Sequence, residues 1–518
     1  MAEMLRNWQI VVAQILPATL LGAVAFALAL IITDPPGPGL DPDALAYMGA
    51  AESVAAHGNY QIPTAQWTSA DSTAPLAHFP PGYSTVLAIP VRLGMQPPQA
   101  ARLVQATAAF VTVFTLVLLV SAAASPLAAI LLIVALFAMT SMHEVHASVL
   151  SEPLYLACTV LVLAAMVWAR DRPLRAGIAA AVGVLTRYAG ASLVGAVVLW
   201  ALMQNGTWTQ RVRRAVLAML PALVLQGTWI VRTRAASATG AEEIRRFAIY
   251  GGLRPTLAQG GATLAAWMIP DAAASTEPVP YRTRLAVAAG VALVVLMSIG
   301  IWRAWRAARS QEGEGPLVTW RLLTASALLL VSYLGVVGLS RLVADPDIPF
   351  DERILAPALL LFTTLAATAL SIWWCGTRLV IARIAVFGAL LGWWLSAARA
   401  THAEAHYALD WGSDFAGQQW RNSELLDWAR TDGVRTPLYS NWAGAVYFHL
   451  HRPAHELPKE RDARTLASFA DTVRVRDGRV LLFDAQTTEY APLDSLLKVR
   501  GLRTVARLRD GVVLGPAQ

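Results

Sequence analysis

The chain has 518 residues, 56% hydrophobic and only 14% charged, with a mean hydropathy of +0.49. Soluble domains carry about 25% charged residues, so the composition excludes a soluble enzyme, even one with a single anchor, and indicates a polytopic membrane protein. The net charge of +7 fits arginine-rich cytoplasmic loops better than a nucleic-acid partner, and the two cysteines, Cys158 and Cys375, give neither a disulfide framework nor zinc spacing.

A helical span needs about 20 mainly apolar residues. The expected fold class is mainly α, a polytopic helical membrane protein of about 11 transmembrane helices with a small C-terminal α/β domain. The candidate spans are 10–33, 101–121, 126–142, 148–169, 173–188, 189–203, 214–232, 284–302, 320–341, 353–374 and 379–398. The first run is too long for a signal-peptide core and reads as a retained span. Segment 83–94 is apolar but short and carries Arg92, which suggests an interfacial or re-entrant helix.

The positive-inside rule sets the orientation. With the N-terminus inside, the inward loops hold Arg170, Arg172 and Arg175, then Arg211, Arg213 and Arg214, then Arg303, Arg306 and Arg309, then Arg378 and Arg383. This parity places 34–100, 233–283 and 399–518 outside, and every histidine (57, 78, 143, 146, 402, 406, 449, 451 and 455) outside or at the outer boundary. The expected domains are therefore a membrane domain over 1–400, with outer loops 34–100 and 233–283, and an extracytoplasmic domain over 401–518. In that tail, 421–430 reads as an amphipathic helix, and Pro437–Ser440 and Arg479–Asp484 read as strands, an α/β pattern. No internal repeat is visible.

The charged groups at the outer boundary carry the chemistry. Asp41-Pro-Asp43-Ala-Leu-Ala-Tyr47 follows the first span. A carboxylate there serves as a general base or metal ligand, or simply as a helix cap. His78-Phe-Pro-Pro-Gly-Tyr83 has a backbone fixed by two prolines. Glu152 opens the fourth span in Ser151-Glu152-Pro-Leu-Tyr155, with Glu144, His143 and His146 nearby as metal-ligand candidates. An acid so near lipid is costly unless paired or solvated. Arg187, before Tyr188, ends the fifth span, and Arg353 opens the tenth. A guanidinium forms a planar fork that matches phosphate oxygens.

These motifs together resemble the GT-C superfamily of membrane-embedded glycosyltransferases, with likeness to the aminoarabinose lipid A transferases and the protein O-mannosyltransferases. In that pattern an acid and then a tyrosine four residues later follow the first span, as Asp43 and Tyr47 do. Pro80-Pro81 ends the first loop, Glu152 opens the fourth span before Pro-Leu, and Leu185-Thr-Arg187 stands for a Leu-Thr-Lys-Gly-like stretch. Arg353 precedes a proline-containing apolar run ending at Pro357. The likeness covers roughly 1–400, and the chain departs from it at His78-Phe79. The tail is similar only to tails of other bacterial members, around Tyr439-Ser-Asn441.

The resemblance implies inverting transfer from a polyprenyl-phosphate sugar to a lipid, glycan or protein acceptor at the outer face of the cytoplasmic membrane. Asp43, Asp41 and Glu152 are then the catalytic candidates. Tyr47, His78, Tyr83, Arg187, Tyr188 and Arg353 are the substrate-binding ones. No cofactor is required, although a divalent cation is compatible, and no nucleic-acid partner is implied. A transporter or lipid flippase is the competing reading, and it predicts internal repeats and broken helices at the midplane. A non-catalytic assembly or sensor protein working through its tail is a third.

Overall fold

The computed structural model describes residues 14–34, 36–169, 172–237, 253–270, 280–310, 314–344, 348–431, 437–484, 490–499 and 501–517. These group into two compact units drawn from interleaved stretches. The first takes Met1–Asp34, Arg102–Trp229 and Arg245–Leu409, and the second takes Pro35–Ala101, Ile230–Ile244 and Asp410–Gln518.

In chain order the helices are α1 (Leu16–Ile32), α2 (Pro42–His57), α3 (Gly82–Arg92), α4 (Pro97–Ala123), α5 (Pro126–Phe137) and α6 (Thr140–Ala147). Next come α7 (Glu152–Trp168), α8 (Pro173–Thr186), α9 (Ala191–Met203), α10 (Trp208–Ser237), α11 (Leu253–Met268), α12 (Pro280–Arg309), α13 (Glu314–Val343), α14 (Glu352–Gly376) and α15 (Val380–Trp411). The tail adds α16 (Gln418–Arg421), α17 (Glu424–Thr431), α18 (Ala443–Leu450), α19 (Ala463–Val475) and α20 (Leu493–Leu497).

The protein is mainly helical. Among the described residues six helices are long and apolar enough to cross a membrane, or seven if α5 and α6, bent by 67°, form one broken span. Shorter apolar helices stand at Leu16–Ile32, Glu152–Trp168, Pro173–Thr186 and Tyr188–Met203, so length and composition alone do not give the expected eleven spans. In the first unit small residues bring the helices close, a packing suited to lipid surroundings. Ala18, Ala25 and Ala29 of α1 are buried in one cluster with Ala106, Ala109 and Val113 of α4.

The second unit contains the first loop and the tail together. A six-stranded sheet runs β2-β5-β4-β6-β8-β7, and β1 (Gln61–Ile62) pairs antiparallel with β3 (Ala74–Pro75). In the sheet β2 (Thr64–Gln66), β5 (Ala454–Glu456), β4 (Leu438–Ser440) and β6 (Arg479–Phe483) are parallel, while β8 (Gly511–Pro516) and β7 (Leu502–Leu508) add antiparallel. Strand alternation distributes side chains between two cores. Leu438, Leu481, Phe483 and Val513 join Phe415 and Trp420, whereas Tyr439, Val480, Leu482, Val512 and Leu514 join Phe469.

The strands at 438–440 and 479–483 stand where the tail's pattern suggested. The helix expected over 421–430 is present as α17 but starts later, at Glu424, with Arg421 ending the short α16. Ser423 is the cause, because its Oγ accepts the Leu426 N–H at 3.1 Å and caps a new start.

Candidate active site

The first unit holds a buried ion cluster. Glu152 is the first residue of α7, where the helix dipole favours an acid, yet its side chain is 1% exposed. An unpaired carboxylate at that depth is very costly. Two guanidiniums balance it. Arg353 Nε donates to Oε1 at 2.6 Å, and Arg187 Nη1 pairs with Oε2 while also donating to Ser151 Oγ at 3.2 Å. The arginine side chains are 15% and 22% exposed, so they reach further toward the surface than the acid that holds them.

Local backbone explains the aim of each arginine. Arg187 is extended (φ −148°, ψ 140°), which ends α8 and starts the 3-10 turn Tyr188–Gly190. Gly190 sits so close to α8 that an added Cβ would lie 2.5 Å from the Gly183 backbone. Arg353 lies in the first turn of α14, which Asp351 caps by accepting the Ile354 N–H at 2.8 Å.

Two buried tyrosines brace these turns. Tyr155 donates to the Ala189 carbonyl at 3.3 Å and lies 3.1 Å from Ser192 Oγ. Tyr333 donates to the Ile354 carbonyl at 2.5 Å. Glu352 accepts from Thr140 Oγ1 at 2.6 Å and Ser141 Oγ at 2.8 Å, and Ser141 receives the Trp267 indole N–H at 3.1 Å. Helix α11 thereby holds the approach to Arg353, and Thr263 adds a bond to the Phe350 carbonyl at 2.6 Å. Tyr155, Tyr333, Glu352 and Trp267 were not singled out from the sequence.

The first-loop motifs meet within the second unit. Asp41 caps α2, accepting the Ala44 N–H at 3.0 Å, and Pro42 occupies the first turn beside half-buried Asp43. Tyr47, one turn beyond Asp43, is 2% exposed and packs 4.9 Å from Phe79 and 5.0 Å, edge to face, from the fully buried Tyr83. His78 stacks edge-on against Phe79. Tyr47 and Tyr83 therefore fasten the Asp43 helix to the Pro80-Pro81 turn, a packing role in addition to any contact with substrate.

The histidine candidates for metal stand on α6. His146 Nδ1 lies 2.8 Å from the Met142 carbonyl, and His143 Nδ1 lies 3.8 Å from Glu404. Among the described residues no three His, Cys, Asp or Glu side chains group as a metal site.

No family model and no curated protein matches the chain. Among solved structures, that of ArnT from Cupriavidus metallidurans bound to undecaprenyl phosphate matches over 96% of this chain and 97% of that one, with a TM-score of 0.55 at 15% identity. The chain has the GT-C fold. The apo structure of the same ArnT gives a TM-score of 0.50 at 16% identity, over 96% of this chain and 97% of that one. Arabinofuranosyltransferase AftD from Mycobacteria gives 0.49 at 14% identity, over 96% of this chain and 41% of that one. At such identities the likeness to solved GT-C structures is one of fold, and the chemistry rests on the side chains above.

Proposed function

We propose that the chain is a membrane glycosyltransferase, moving a sugar from a polyprenyl-phosphate donor to a lipid, glycan or protein acceptor at the outer face of the cytoplasmic membrane, with inversion. The observation that carries this reading is the Glu152–Arg187–Arg353 triad. It offers a pair of guanidiniums oriented by one acid at the ends of apolar helices, which suits a phosphate on a lipid tail. The undecaprenyl phosphate bound by the similarly folded ArnT supports the donor class.

In this reading Asp43 takes the proton from the acceptor hydroxyl. The acceptor oxygen bonds to the anomeric carbon from the face opposite the phosphate. The bond from that carbon to the phosphate oxygen breaks, and its electron pair leaves with the lipid phosphate. The phosphate passes from a diester with about one negative charge to a monoester with up to about two. Arg187 and Arg353 stabilise the charge that develops on it. Glu152 orients both guanidiniums, and Asp41 caps the helix that carries the base.

The test is transfer of radiolabelled sugar from a panel of polyprenyl-phosphate donors in membranes holding wild-type or Asp43→Asn protein. Wild-type membranes should transfer label, and the variant should lose at least about 100-fold in rate, the usual size of a base's contribution. No transfer from any donor by folded wild-type protein, with an unaltered growth phenotype for Asp43→Asn cells, would overturn the proposal in favour of transport.

A further inference from the structure

The tail carries no motif that the proposed reaction uses, yet it grips the helix of the proposed base. Tyr447, on α18, donates its O–H to the Glu52 carboxylate on α2, across 395 residues of sequence. Tyr447 is 7% exposed. Burial, then the adjacent Glu52 carboxylate, push its phenol well above the ordinary range, so it remains a neutral donor at any working pH. Glu52 follows Asp43 by nine residues, roughly two and a half helical turns. The two acids therefore emerge from opposite sides of α2, and the one the tail holds is Glu52.

Two further attachments flank this one. Just before the cap Asp41, the Leu40 carbonyl accepts the Phe415 N–H at 3.1 Å, and Leu40 bridges Asp414. After the helix, β2 joins β5 in parallel, with Thr64 opposite Ala454, Ala65 opposite His455 and Gln66 opposite Glu456. Helix and strand are coupled at Gly49, where an added Cβ would come within 2.1 Å of Pro63 Cδ. The Pro63 carbonyl in turn accepts the Ala454 N–H at 3.2 Å. The tail thus fixes the chain before α2, on α2 and after it.

We infer that the C-terminal α/β region is the positioning body for α2, and that Tyr447, through Glu52, is a positioning residue for the Asp43 carboxylate. The inference rests on the proposed transferase reading. A base aimed by a rigid mount has its effect on the rate of the chemical step, because a displacement of about 1 Å can cost 100-fold. Donor binding by the arginines is a separate task, so the rate and the donor affinity should part.

Two readouts on full-length protein test this. The first is steady-state transfer by Tyr447→Phe and Glu52→Gln. Each should lower kcat about 10-fold, with the donor KM held within about twofold. Glu52→Gln retains an oxygen acceptor, so it should lose less than Glu52→Ala. The second is hydrogen–deuterium exchange, which needs no activity. Tyr447→Phe should speed exchange of the α2 amides while leaving β6 and β8 protected.

If wild-type protein shows no transfer but α2 exchange still rises in Tyr447→Phe, the transferase reading fails and the tail's hold on α2 stands. If transfer is robust and both α2 exchange and kcat are unchanged in Tyr447→Phe, the positioning inference is overturned. It is equally overturned if exchange rises while kcat is unchanged, or if KM and kcat worsen together.

Discussion

At the scale of residues, the buried acid and the two guanidiniums explain one another. Glu152 would not remain charged at that depth without its partners, and the arginines would swing to the surface without a fixed anion between them. The Arg353 contact is made through Nε at 2.6 Å. Lysine cannot hold an acid and a phosphate at once in that planar way. Arg353→Lys should therefore raise the donor KM and also lower kcat, a loss of about 10-fold in kcat/KM for one weakened charge-assisted hydrogen bond, measured by initial rates against donor concentration. Arg187, Arg353 and Glu152 were legible because charge at the edge of an apolar run is expensive and so conspicuous. Tyr155 and Tyr333 were not, because a tyrosine inside such a run reads as core. Their purpose is visible only once their hydroxyls meet the Ala189 and Ile354 carbonyls.

At the scale of elements, the break between α8 and α9 matters more than either helix. The sequence placed two spans there and located Arg187 at their junction. It did not show that the junction is an extended residue followed by a 3-10 turn wedged against α8. The wedge requires a residue without a side chain, because the atoms facing Gly190 belong to the Gly183 backbone and cannot rotate aside. Gly190→Ala should push the turn outward, cost about 1–3 kcal/mol of stability and raise the donor KM. Thermal unfolding of the detergent-solubilised protein and donor titration would check both. The pairing of β2 was illegible for a different reason. Thr64–Gln66 is three residues long with no alternation to read, and its partner, Ala454–Glu456, lies on the far side of the membrane helices in sequence.

At the scale of the whole molecule, two histidines tie pH to the unit that joins loop and tail. His455 stands in β5 with Nδ1 3.1 Å from the Gln66 carbonyl of β2, and His449 Nε2 lies 2.8 Å from the Phe415 carbonyl. Burial lowers the pKa of both, aided at His455 by Arg476 and at His449 by Arg430, Arg421 and His451. Their folded pKa values lie below the unfolded one, so the unfolded chain takes up protons first. Stability from these groups is complete above about pH 6.5 and is lost as pH falls below it toward the folded values. Exchange of the β2 and β5 amides should therefore quicken between pH 7 and 5, and His455→Gln should flatten that dependence. The interleaving of the two units also has a consequence for biosynthesis. Glu52 emerges from the ribosome 395 residues ahead of Tyr447, roughly 20–80 s at ordinary elongation rates. During that interval the nascent polypeptide adds helix after helix while α2 waits without its clasp. On the proposed reading, activity would then begin only when translation has nearly finished, and a product stopped before Tyr447 should lack transfer, as translation-arrested membranes assayed with labelled donor would show.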